Sequence, residues 1–66
     1  MTIDEAGGRI ESAINAYGPA AAAAIERILE QVKSDLGPEA VNDLIERHDL
    51  ELRYNIAPTE FDLGSD

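Results

Sequence analysis

The chain has 66 residues, one histidine, no cysteine, and a formal net charge of −9 from 14 acids against five bases. Without cysteine there is no disulfide or thiolate metal site, and His48 alone supplies no ligand set for structural zinc. The charge leaves no basic face for nucleic-acid phosphates and nothing to dock on an anionic membrane surface.

A chain this short is one domain, buries a small share of its surface and depends on regular helix packing or oligomerisation. Each well-buried large apolar side chain contributes about 1.5–3 kcal/mol, while ordering a residue costs about 1.5 kcal/mol. Modest stability is therefore expected for a monomer, and more for an assembly. No apolar stretch is long enough to span a bilayer. The opening residues MTIDEAGG lack the basic start and apolar run of a signal peptide. The expected location is cytoplasmic.

Thr2 and Glu5 form a T-x-x-E capping box, and Asp4 and Glu5 suit the positive end of a helix. Ile3, Ala6, Ile10, Ala13, Ile14 and Tyr17 recur at helical spacing, which predicts a helix over 3–17. Gly7 and Gly8 weaken it by about 1 kcal/mol each relative to Ala, so fraying is expected before Arg9. Gly18-Pro19 is a stop followed by a start. A second helix is predicted over 19–36, with Ile25, Ile28, Leu29, Val32 and Leu36 on its apolar face. The Ala20–Ala24 run is high-propensity filler that also lets a second helix approach closely. Gly37-Pro38 repeats the punctuation and opens a third helix over 38–48. Its stripe is Val41, Leu44, Ile45 and His48, with an Asp43–Arg47 pair on its surface. His48 falls in the last turn, where a cationic imidazole suits the helix dipole.

Beyond His48 the period changes. Leu50, Leu52, Tyr54 and Ile56 alternate with Glu51, Arg53 and Asn55, which reads as a half-buried strand over 50–56. A lone strand leaves backbone groups unpaired. It must pair with its copy, add to another protein's sheet edge, or lie over the helices as a hydrated arm. Pro58 ends it, and residues 58–66 form an acidic tail carrying Phe61 and Leu63. The expected fold is thus mostly α: a small three-helix bundle over 1–57 with a C-terminal extended strand, followed by the acidic tail.

No nucleophile and base assemble from this sequence, and Gly7-Gly8 follows no strand, so no phosphate loop is present. Arg53–Thr59, RYNIAPT, resembles a segment of the SOS-response-associated peptidase (SRAP) family, which protects abasic DNA sites by covalent capture. The resemblance implies that Asn55 matches the family's active-site Asn. It also sets Gly7-Gly8-Arg9 beside the family's Cys-Gly-Arg motif, with Gly7 in the place of the nucleophile. The departures are the absent Cys, Thr at position 2, and the lack of the family's sheet-rich body. The resemblance therefore implies a remnant or repurposed relative without the activity.

The function expected from the residues is non-enzymatic: a small acidic protein-binding module, regulating, inhibiting or adapting a larger protein. No cofactor is implied. The partner is another protein or a second copy, and the candidate contact residues are Leu50, Leu52, Tyr54, Ile56, Phe61 and Leu63. Three alternatives stand beside it. One is a homodimer pairing through the Leu50–Ile56 strand. Another is a nucleic-acid mimic occupying a basic groove. The third is a precursor peptide modified around Thr59–Asp66. An acidic proteome in the host also accounts for the charge without any specific partner.

Overall fold

A computed structural model of the chain describes residues 1–57. Four helices follow in order: α1 (Ile3–Tyr17), α2 (Ala22–Leu36), α3 (Pro38–Arg47) and the short α4 (Leu50–Tyr54), with a 3₁₀ turn at Gly18–Ala21 leading into α2. No strand occurs among the described residues.

α1 starts where its capping chemistry sits. The Thr2 hydroxyl accepts from the Glu5 amide (3.1 Å), and the Glu5 carboxylate accepts from the Thr2 amide at 3.4 Å. The helix is unbroken through Gly7 and Gly8, against the expected fraying. Gly7 is held from the side: a Cβ there would lie 3.4 Å from His48 Nε2 and 3.7 Å from Leu44 Cδ2. A second anchor lies on either side of the glycine pair, since Ala6 and Ile10 are both fully buried.

Both Gly-Pro steps act as punctuation. Gly18 ends α1 at φ +54°, and its amide donates to the Ile14 carbonyl. Gly37 ends α2 at φ +98°, its amide donating to the Lys33 and Val32 carbonyls at 3.1 and 3.2 Å. Such positive φ angles are the region in which glycine carries no Cβ penalty. Pro38 then opens α3. Pro19 opens a 3₁₀ turn, so α2 proper begins three residues later than the expected 19. That tighter turn carries Ala21 into the core.

The core is one cluster built from every element. α1 supplies Ala6, Ile10 and Ala13; the 3₁₀ turn supplies Ala21; α2 supplies Ile25, Leu29 and Val32; α3 supplies Val41, Leu44 and Ile45. Leu50 and Ile56 close it from the C-terminal side. α2 packs against both α1 and α3, and α4 packs on α3. No polar or charged residue is buried among the described residues. The expected stripes hold at their centres and fail at their ends, for Tyr17 is 59 % exposed and Leu36 39 %.

The segment read as a strand is helical. The α3 chain turns at His48 and Asp49, whose amides donate to the Leu44 and Glu46 carbonyls (3.1 and 3.3 Å). Asp49 adopts the left-handed conformation, φ +56° and ψ +39°, one of the few non-glycine types enriched there. α4 follows, with the Arg53 amide bonded to the Asp49 carbonyl at 2.9 Å. Asn55 ends it, again left-handed (φ +60°, ψ +34°), and donates to the Glu51 carbonyl at 2.9 Å. The Ile56 amide then reaches the Leu50 carbonyl at 3.3 Å and returns the chain to the core.

The physical reason is backbone satisfaction. No neighbouring strand exists among the described residues to pair with, and one helical turn pairs these groups locally. The side chains agree with it. Leu50 and Tyr54 stand four apart, on one helical face. Leu52, which a strand would place beside them, is 82 % exposed.

Candidate functional site

The six residues expected to contact a partner do not form one surface. Leu50 and Ile56 are fully buried and belong to the core. Tyr54 is half-buried, and its hydroxyl donates to the Gly18 carbonyl oxygen (2.9 Å), tying α4 to the turn between α1 and α2. Leu52 projects into solvent, the one of the four described residues to do so. Phe61 and Leu63 lie outside the described residues. A dimer paired through a Leu50–Ile56 strand therefore has no strand edge to use: the backbone there is bonded within the chain.

The described residues line at least two surface depressions. The first is polar, lined by Glu11, Ile14, Asn15, His48 and Arg53. Its residues come from α1 and from the α3–α4 junction, with His48 packed beside Gly7. His48 Nδ1 lies 3.9 Å from Glu11 Oε2, with the histidine side chain 14 % and the glutamate 69 % exposed. A histidine beside a carboxylate is the orienting half of an acid–base pair, but no hydroxyl or thiol nucleophile lines the depression. Glu11 remains in water, where such a pair is weak. Arg53 sits 5.8 Å from the centre of the Tyr54 ring, at the outer limit of a cation–π contact.

The second depression is apolar. Tyr17, Ala20, Ala23, Ala24, Arg27 and Ile28 line a shallow cleft along the outer side of the 3₁₀ turn and α2. The spacing 20, 23, 24, 27, 28 is one helical face, set beside the buried Ile25–Leu29–Val32 stripe. Three alanines keep its lining small, Tyr17 and Ile28 are its large apolar groups, and Arg27 is its charged group. The sequence carried a signal for this cleft in the Ala20–Ala24 run, but Tyr17 and Ile28 read there as core residues.

The positions matched by the SRAP resemblance have local structural roles here. Asn55 forms the left-handed end of α4, Gly7 faces His48, and Arg9 makes an ordinary i,i+4 pair with Glu5 (3.5 Å). Pro58 and Thr59 lie outside the described residues. Among the described residues no group of three or more His, Cys, Asp or Glu side chains could hold a metal ion, and no helix is long and apolar enough to cross a membrane. Comparison with family models, curated proteins and solved structures returned no match for this chain.

Proposed function

We propose that this chain is a non-catalytic, acidic protein-binding module, a small regulator, inhibitor or adaptor of a larger protein, and that it engages its partner through the Tyr17–Ile28 cleft. The observation that carries the reading is the cleft itself: an exposed apolar face with one cation, Arg27, on a chain of net charge −9. A partner anchor that is apolar and flanked by a carboxylate fits it. The surrounding acidity favours a partner whose remaining surface is basic, through faster encounter and rejection of acidic competitors.

The test is capture from the native host by full-length protein, followed by affinity measurement on the recovered partner. Ala23→Glu sets a charge in the cleft at an exposed helical position where Glu is a good helix former. Gln31→Glu, at another exposed position of α2, adds the same charge away from the cleft. Binding by wild type and Gln31→Glu but not by Ala23→Glu supports the reading. Equal binding by all three removes the cleft from it. Competition of the partner with DNA or RNA, lost steeply with added salt, would instead favour the nucleic-acid mimic.

A further inference from the structure

We propose that Leu50–Ile56, α4 with its C-terminal turn, is a latch that opens as a unit while α1, α2 and α3 stay folded. Three observations carry this. The first is the backbone at its two ends. Asp49 (φ +56°) and Asn55 (φ +60°) are the two non-glycine residues with positive φ among the described residues. A left-handed conformation at a residue with a Cβ is disfavoured and persists only where the surroundings hold it. One such residue enters α4 and the other leaves it, which makes them the points where the chain relaxes once those surroundings let go.

The second is what holds the segment shut. α4 has five residues, too few for an isolated helix, which needs about 12–15 to be even marginally stable. Closure therefore depends on tertiary contacts. These are the buried side chains of Leu50 and Ile56 and the Tyr54 hydroxyl on the Gly18 carbonyl. The amides of Arg53, Asn55 and Ile56 bond to the carbonyls of Asp49, Glu51 and Leu50, all within the segment and its first hinge.

The third is what remains without it. α2 packs against both α1 and α3, whereas α4 packs chiefly on α3. The three longer helices therefore keep their mutual packing when the latch leaves them.

Opening changes what the chain shows. Leu50 and Ile56, fully buried when shut, come out beside the exposed Leu52, and the side of α3 beneath α4 is bared. The polar depression is lost at the same time, because Arg53 belongs to the latch while Glu11, Ile14 and Asn15 belong to α1. A local equilibrium, separate from global unfolding, thus sets how much apolar surface the protein presents. The Tyr17–Ile28 cleft lies on elements that stay folded, so the latch stands or fails independently of the binding reading.

The experiment is amide hydrogen exchange by NMR on full-length protein, over a series of urea concentrations below the unfolding transition. The probes are the amides of Arg53, Asn55 and Ile56 in the latch and of Ile10, Leu29 and Val32 in the longer helices. The latch amides are expected to exchange faster, with rates that rise only shallowly with urea, since opening exposes little surface. The helix amides should rise steeply. Gly8→Ala, inside α1 where a Cβ meets nothing within 4 Å, stabilises the shut and open states alike. It should slow the helix amides about 2–5-fold and leave the latch amides unchanged. Tyr54→Phe should speed the latch amides about 2–12-fold. A common urea slope for all the probes overturns the proposal. Equal slowing of every probe by Gly8→Ala does the same, since either result means that the segment opens only with the whole chain. The urea slopes decide alone if Gly8→Ala leaves every rate unchanged. No protection at the three latch amides also overturns it, because the latch would not be shut. Latch rates unmoved by Tyr54→Phe overturn the part assigned to the hydroxyl.

Discussion

Replacing Gly8 by Ala should stabilise this protein. Gly8 lies inside α1, has no positive φ, and a Cβ built there meets nothing within 4 Å. The substitution therefore loses no packing and creates no clash. It removes the backbone freedom that glycine alone retains in the unfolded chain. Glycine in a helix interior costs about 0.5–1 kcal/mol relative to Ala, so the folded state should gain about that much. For a domain of 60–100 residues, 1 kcal/mol moves the thermal midpoint by about 4–8 °C, so a rise of about 2–8 °C is expected. Thermal and urea melts followed by circular dichroism at 222 nm measure it. The urea slope should be unchanged, because the surface exposed on unfolding is nearly the same. Gly7→Ala is the internal comparison. Its Cβ lies at contact distance from His48 and Leu44, so any gain depends on those side chains holding their places and should not exceed that of Gly8→Ala. A midpoint for Gly8→Ala that stays level or falls would refute the reasoning, showing that α1 is not continuous helix through residue 8 in solution.

Leu50→Ala should cost about 2–5 kcal/mol as a core truncation, whereas Leu52→Ala should stay within about 0.5 kcal/mol as a surface change; equal costs, measured by urea unfolding, would restore the strand. Tyr54→Phe removes the hydroxyl bound to the Gly18 carbonyl and should cost about 0.5–1.5 kcal/mol; a neutral result would show that this bond exchanges freely with water. Thr2→Ala deletes the capping box and should cost about 0.5–2 kcal/mol. Its loss should also appear as faster amide exchange in the first turn of α1, and unchanged exchange there would count against the cap.

The sequence by itself determined the helices and most of the core, because the forces that set them are local. A capping box needs only Thr2 and Glu5, three residues apart. A helix end needs only a residue that tolerates positive φ, which Gly18 and Gly37 supply, and a proline after it. Apolar residues at spacings of three and four then predict which side faces inward, and Ile10, Ile25, Leu29, Val32, Val41 and Leu44 are all fully buried. Tertiary structure alone decided the rest. Leu50, Leu52, Tyr54 and Ile56 satisfy a strand's period, yet positions 50 and 54 satisfy a helix equally well. Only the absence of a pairing strand among the described residues, and the left-handed turns at Asp49 and Asn55 that flank α4 while Leu50 and Ile56 lie in the core, settle the choice. The cleft is decided in the same way: whether Tyr17 and Ile28 join the core or line an open surface depends on how α1, the 3₁₀ turn and α2 pack together, which no local pattern records.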